Sequence, residues 1–173
     1  GQRVFLKFDK AELTSLAVTS AEIEEAEKEV PIELKAAIYL AKRNIETFHS
    51  TQRFEGKKVD TMEGVTCWQK AVAIEKVGLY IPGGTAPLFS TVLMLAIPAK
   101  IAGCKEIVLC TPPDKNGKVH PAILFAARLA GVSKIFKVGG VQAIAAMAYG
   151  TESIPKVYKI FGPGNQYVTA AKQ

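Results

Sequence analysis

Three short glycine-bearing turns hold the residue types that could do chemistry in this chain. They are Pro82-Gly83-Gly84-Thr85-Ala86-Pro87, Gly139-Gly140-Val141-Gln142 and Gly162-Pro163-Gly164-Asn165. Each follows a short apolar run and precedes a helix-like pattern. Glycine lets main-chain amides approach an anion, and a helix N-terminus adds a favourable dipole. The chemistry on offer is the holding of a phosphorylated ligand. The spacing is neither G-x-G-x-x-G nor a Walker motif. Taken alone, the first of these turns reads equally well as a strained corner that needs glycine.

Three side chains at these turns are candidate ligand contacts. Tyr80 lies at the end of the apolar run before Pro82, where it could stack on a base or nicotinamide ring or bond a ribose hydroxyl; the alternative is a half-buried aromatic at a sheet edge. Gln142 falls in a first helical turn facing the strand ends, or else is simply solvated. Asn165 is placed to cap the helix that begins at Gln166. Ser90 and Thr91, just past the first turn, could add hydrogen bonds.

Groups that break bonds are harder to find. His49 and His120 have no companion at metal-ligand spacing, and read as surface or capping residues. Cys67, Cys104 and Cys110 form neither an even disulfide set nor a C-x-x-C pair, and their apolar surroundings predict buried, reduced thiols in a cytoplasmic protein. A catalytic thiol needs access and a lowered pKa, which nothing in the sequence marks. No Ser-His-Asp set can be assembled. The residues describe a binder without an acid, base or metal of its own.

Composition narrows the partners. The net charge is +6, but the lysines are scattered and no aromatic-plus-basic cluster appears, so nucleic acid is not an expected partner. The longest apolar run, Thr91 to Ala99, is too short to span a bilayer and is followed by Lys100. No signal peptide is legible in the opening residues.

The turns need a scaffold, and the pattern supplies one. Strands are expected near Leu79–Pro82, Glu106–Thr111, Lys134–Val138 and Val157–Phe161, with helices near Phe89–Ala102, Val119–Ala130, Val141–Tyr149 and from Gln166 onward. Alternating strands and helices imply a parallel sheet covered by helices. Right-handed crossovers then bring the glycine turns out on one edge, where such sheets bind ligands. The region before it is different. Thr19 to Glu22 is a capping box opening a helix that stops at Pro31, and a second helix runs from about Ile32 to Thr51. Val4 to Phe8 alternates weakly. Phe54 to Gly64 reads as polar and turn-rich, and Val65 to Lys76 as short strands or a hairpin. The expected division is a helical arm with short strands over residues 1–78 and an α/β domain over residues 79–173. The chain opens on Gly1, and Tyr167 to Gln173 shows no helix stop, so a piece of a longer protein is expected.

Over GLYIPGGTAPLFSTVLMLAIPAKIAGC, VGGVQAIAAMAYGTESIPKV and KIFGPGNQYVTAAK, the chain resembles the histidinol dehydrogenase family in order and spacing. The resemblance covers nearly the whole chain and is strongest from Val77 onward. It implies a Rossmann-like fold akin to the aldehyde dehydrogenases, and an enzyme of histidine biosynthesis. That enzyme oxidises L-histidinol to the aldehyde and then to L-histidine with two NAD, at a zinc site shared within a homodimer. The family's NAD contacts fall on Tyr80, Gln142 and Asn165. Its zinc ligands, substrate contacts and glutamate-histidine pair lie beyond Gln173, so no catalytic or metal-binding residue is expected here and the chain by itself is expected to be inactive. Two rivals stand beside this reading. One is a stand-alone nucleotide-binding module. The other is a different aldehyde-dehydrogenase-like enzyme, disfavoured because Cys104 and Cys110 fall at or in core elements.

Overall fold

The computed structural model describes residues 15–84 and 86–173. The weak alternation expected over Val4 to Phe8 lies outside the described residues.

Helix α1 (Ser20–Glu29) starts at the capping box read from the sequence. The Thr19 hydroxyl accepts from the Glu22 N–H at 3.2 Å, and the Glu22 carboxylate accepts from the Thr19 N–H at 2.9 Å. Pro31 forces a new start, and α2 (Ile32–Ser50) turns Leu34, Ile38, Ala41 and Ile45 inward. An antiparallel hairpin follows, β1 (Lys58–Met62) and β2 (Val65–Trp68), with Val59 opposite Cys67.

The remainder is the α/β alternation expected: β3 (Lys76–Tyr80), α3 (Phe89–Ile101), β4 (Glu106–Thr111), α4 (Pro121–Leu129), β5 (Lys134–Lys137), α5 (Gly140–Tyr149), β6 (Lys159–Phe161) and α6 (Gln166–Ala171). The four strands are parallel, in the order β5-β4-β3-β6. From β3 the chain steps outward to β4 and β5, then returns across the sheet to place β6 on the far side of β3. The boundary between β3 and β6 is therefore the point at which the winding direction reverses. The register levels the strand ends there, with Tyr80 beside Cys110, Cys110 beside Phe136, and Leu79 beside Phe161.

Side-chain alternation sorts the core into two layers. Val77, Leu79, Ile81, Ile107, Leu109 and Ile135 pack with α1 to α4. Tyr80, Val108, Cys110, Phe136 and Val138 pack with α5 and α6. Reversing the winding moves the crossover helix to the other face, because each crossover keeps one hand. The outer edge of β5 is covered by residues 16–18, through Val18 N–H to Ile135 O (2.9 Å) and Lys137 N–H to Leu16 O (2.7 Å).

Three expectations need correction. β1 lies within the stretch read as turns, because each of its five residues is exposed and no apolar face marks it. Cys67 is exposed on β2, whereas Cys104 and Cys110 are buried as expected. The alternative place for Tyr80, half-buried at a sheet edge, is also wrong: β3 is an interior strand and Tyr80 is 4% exposed.

Candidate functional site

The glycine corners after β3, β5 and β6, together with the proline corner after β4, share one rim of the sheet and lock into each other. Pro112 is gripped from both sides. A Cβ on Gly83 would stand 2.7 Å from its ring, and one on Gly139 would stand 2.6 Å away. Gly162, at φ 142°, passes so close to β3 that an added Cβ would meet the Tyr80 carbonyl oxygen at 2.1 Å. Glycine at these places is a packing requirement first. Gly84 differs: nothing in the described protein lies within 4 Å of where its Cβ would be. That corner is open towards solvent.

Tyr80 joins the corners. Its hydroxyl accepts a hydrogen bond from the Gly140 N–H at 3.0 Å. Gly140 is the first residue of α5, so the phenol satisfies one of the donors that a helix start leaves without an intrahelical partner. The Tyr80 backbone meanwhile rests against Gly162. One residue thus ties the β3 end to both the β5 corner and the β6 corner. Because its ring is buried, Tyr80 has no open stacking face.

Gln142 is half-buried in the first turn of α5. Its side chain folds back over Gly140, where an added Cβ would lie 3.0 Å from Oε1. Asn165 is the N-cap of α6, and its Oδ1 accepts from the Tyr167 and Val168 N–H groups, both at 3.1 Å. With the oxygen committed to capping, its amide NH2 remains the group to offer a ligand. Lys172 turns back from the end of α6 and donates to the Gly162 carbonyl at 2.7 Å. Tyr80, Gln142 and Asn165 therefore stand at the β3, β5 and β6 corners of one rim, with the β4 corner between those of β3 and β5. Ser90 and Thr91 occupy the first turn of α3, whose N-cap, Leu88, supplies no capping side chain.

The histidines and the buried cysteines have local surroundings of their own. His120 caps α4, with Nδ1 accepting from the Ala122 N–H at 3.2 Å. His49 lies beside Gln52 at the end of α2. Burial pushes the Cys110 thiol up to about 12 and raises that of Cys104 as well, so neither is a ready thiolate at neutral pH. Among the described residues no group of three or more His, Cys, Asp or Glu could hold a metal ion.

Sequence reasoning missed Thr111 and the acidic face of α1. Thr111 ends β4 with its side chain buried at 1% exposure, and its hydroxyl has no protein partner among the described residues. The signal was present: a lone hydroxyl closing the apolar run Ile107 to Cys110, at the carboxyl end of a parallel strand.

Comparison with known proteins identifies the family. The family model described as histidinol dehydrogenase matches residues 2–173. A histidinol dehydrogenase of Bacteroides fragilis (strain YCH46) is 95% identical over 177 residues, covering 100% of this chain and 41% of that protein. That of Bacteroides thetaiotaomicron is 84% identical over 166 residues, covering 96% of this chain and 39% of the relative. A crystal structure of histidinol dehydrogenase from Elizabethkingia anophelis superposes with a TM-score of 0.96 at 58% identity, over 99% of this chain and 40% of that one. The chain thus spans about two fifths of the length of the proteins it matches.

Proposed function

Because the chain belongs to the histidinol dehydrogenase family, we propose that it forms the NAD-facing part of an enzyme that oxidises L-histidinol to L-histidine through the aldehyde. The observation that carries this is the Tyr80–Gly140 hydrogen bond, which fixes the β3 and β5 corners together next to the β6 corner. A dinucleotide needs several main-chain and side-chain donors in one crevice, and open parallel sheets offer it where their winding reverses. Gly84 and Asn165 stand at the β3 and β6 corners on either side of that reversal, and the Tyr80 hydroxyl ties in the start of α5, which carries Gln142.

NAD fits these residues. Gly84 leaves room for close approach, and Gln142 and Asn165 supply neutral donors. Bound there, NAD would supply the hydride acceptor. The chain's own contribution is positioning: Tyr80 holds the corners in register, while Gln142 and Asn165 orient the cofactor. The zinc that the family resemblance implies does not fit the described residues, which contain no metal-competent cluster. We accordingly propose that the chain by itself oxidises no histidinol, with or without added zinc. Family membership also leads us to place the whole enzyme in histidine biosynthesis, as a cytoplasmic homodimer. The division into an arm (1–78) and an NAD-binding domain (79–173) is retained as part of this reading.

Two substitutions in a full-length family enzyme test it. Asn165→Asp keeps the capping oxygen and removes the amide donor, while Gln142→Ala removes a donor that caps nothing. Both should raise the KM for NAD about tenfold or more, the loss of one or two hydrogen bonds to ligand, with a smaller change in the KM for histidinol. Unchanged NAD kinetics in both variants would remove Gln142 and Asn165 from the cofactor site. NADH formation by the purified chain alone would overturn its proposed inactivity.

A further inference from the structure

On the sheet face opposite Tyr80, a cavity of about 440 Å³ opens between α1 and the corners after β3 and β4. Its wall on the α1 side carries Glu22, Glu25 and Glu29, and Asp114 stands on the β4 corner; Lys118 and His120 are the basic side chains among its described lining residues. The apolar part is made by residues such as Pro87, Val119 and Leu124. Thr111 also lines the cavity. Alternation along β4 turns its side chain to this face, with Ile107 and Leu109, and its hydroxyl is the buried polar group without a protein partner described above. A buried hydroxyl left unpaired is costly, so such a group facing a cavity marks a place that something fills.

We propose that this cavity is a binding site for a linear aliphatic polyamine. Charge decides the sign of the ligand: carboxylates dominate the α1 wall, so ammonium groups are attracted to it. Spacing decides its shape. Glu22, Glu25 and Glu29 sit at i, i+3 and i+7 on one face of α1, separated by about 4.5 Å and about 6 Å along the helix axis. Ammonium groups joined by three- and four-methylene spacers repeat at comparable intervals, and the methylenes suit the apolar wall. Glu22 already holds Lys137 through one oxygen and Thr19 through the other. Glu25 pairs with Lys118 at 3.5 Å with both side chains largely exposed, a weak contact that an incoming ammonium can displace. Glu29 has no protein partner among the described residues. Thr111 Oγ1 then accepts from an ammonium that reaches the buried end.

The cavity shares the Gly83–Gly84 corner with the proposed NAD crevice, and one titration separates the two. Spermidine added to the isotope-labelled chain should give saturable amide shifts at Thr111, Asp114 and residues 25–29, weakening as salt is raised. NAD should leave the amides of residues 25–29 on the α1 wall unshifted. Thr111→Val should weaken spermidine binding about tenfold, and the exposed Glu29→Gln about threefold, in line with losing one hydrogen bond at the buried end and one screened charge at the mouth. Glu29→Gln leaves the core untouched and serves as the test if Thr111→Val does not fold. Shifts that never saturate, or that scatter over acidic residues elsewhere, overturn the proposal. So does unchanged affinity in Glu29→Gln. Spermidine binding with no NAD effect at Gln142 or Asn165 would leave the polyamine site standing while the cofactor reading fell.

Discussion

The rim of the parallel sheet and the β1–β2 hairpin are built from similar residue types and meet opposite fates. At the rim, Tyr80, Cys110 and Phe136 lie buried side by side, and the corners beyond them interlock through Pro112 and Gly162. On the hairpin, Val59, Met62, Cys67 and Trp68 are all exposed, and residues 51–71 carry no buried side chain. An isolated two-stranded hairpin is marginal in water, whereas the rim is held by two hydrophobic layers. Contacts from outside an element, more than its own composition, decide whether an apolar residue contributes to stability.

Cysteine chemistry gives the widest separation between the two regions. Iodoacetamide at mildly alkaline pH should modify Cys67 readily and leave Cys110 untouched in the native chain, which mass spectrometry of the peptides would show. Burial holds the Cys110 thiol protonated to about 12, while an unfolded thiol ionises near about 8.5. Cys110 thus opposes folding increasingly as pH rises above the unfolded value. Equal labelling of both cysteines would mean that the rim opens freely.

Gly162→Ala should be the most damaging rim substitution. It sets a Cβ against the Tyr80 carbonyl and demands a positive φ from alanine, and we expect a loss of about 3 kcal/mol or more in urea unfolding. Near-normal stability would show that β6 does not run against β3 as described. Leu109→Ala and Trp68→Ala compare the regions directly. The first empties a fully buried site and should cost about 3 kcal/mol. The second truncates a larger side chain and should change stability by less than about 0.5 kcal/mol. A reversed order would place the hairpin in a core of its own.

The smallest effect is electrostatic. Burial raises the Glu22 carboxyl, but the hydrogen bonds from Lys137 and Thr19 outweigh it and hold the group below its usual range. A lowered folded value means that Glu22 stabilises the chain above its unfolded value of about 4.3 and loses that contribution as pH falls through the folded one. Glu22→Gln should therefore flatten the acid limb of a stability-pH curve slightly. An acid limb of unchanged slope would show that Lys137 contributes nothing through Glu22.

How much of this was legible depended on the same contrast. The α/β alternation could be read because buried parallel strands are continuous apolar runs, as at Ile107 to Cys110, and the helices between them stop at Gly103, Gly131 and Gly150. Asn165 could be read as a cap because capping is local. The strand β1 could not, since exposed strands have no face for a pattern to mark. The role of Gly83 and Gly139 was also hidden. Both make room for Pro112, a neighbour distant in sequence that only the strand order brings between them. Tyr80 was picked out by its place at a strand end, yet its bond to Gly140 depends on β5 returning to the same rim, which no local pattern encodes.

The central claim is that the rim corners converge on a dinucleotide. Titrating the labelled chain with millimolar NAD and mapping the amide shifts tests it most directly. The account predicts one contiguous set of shifts at Tyr80, Gly84, Gly140, Gln142 and Asn165, with the hairpin silent. Shifts confined to residues 51–71, or none at the rim at saturating NAD, would contradict it.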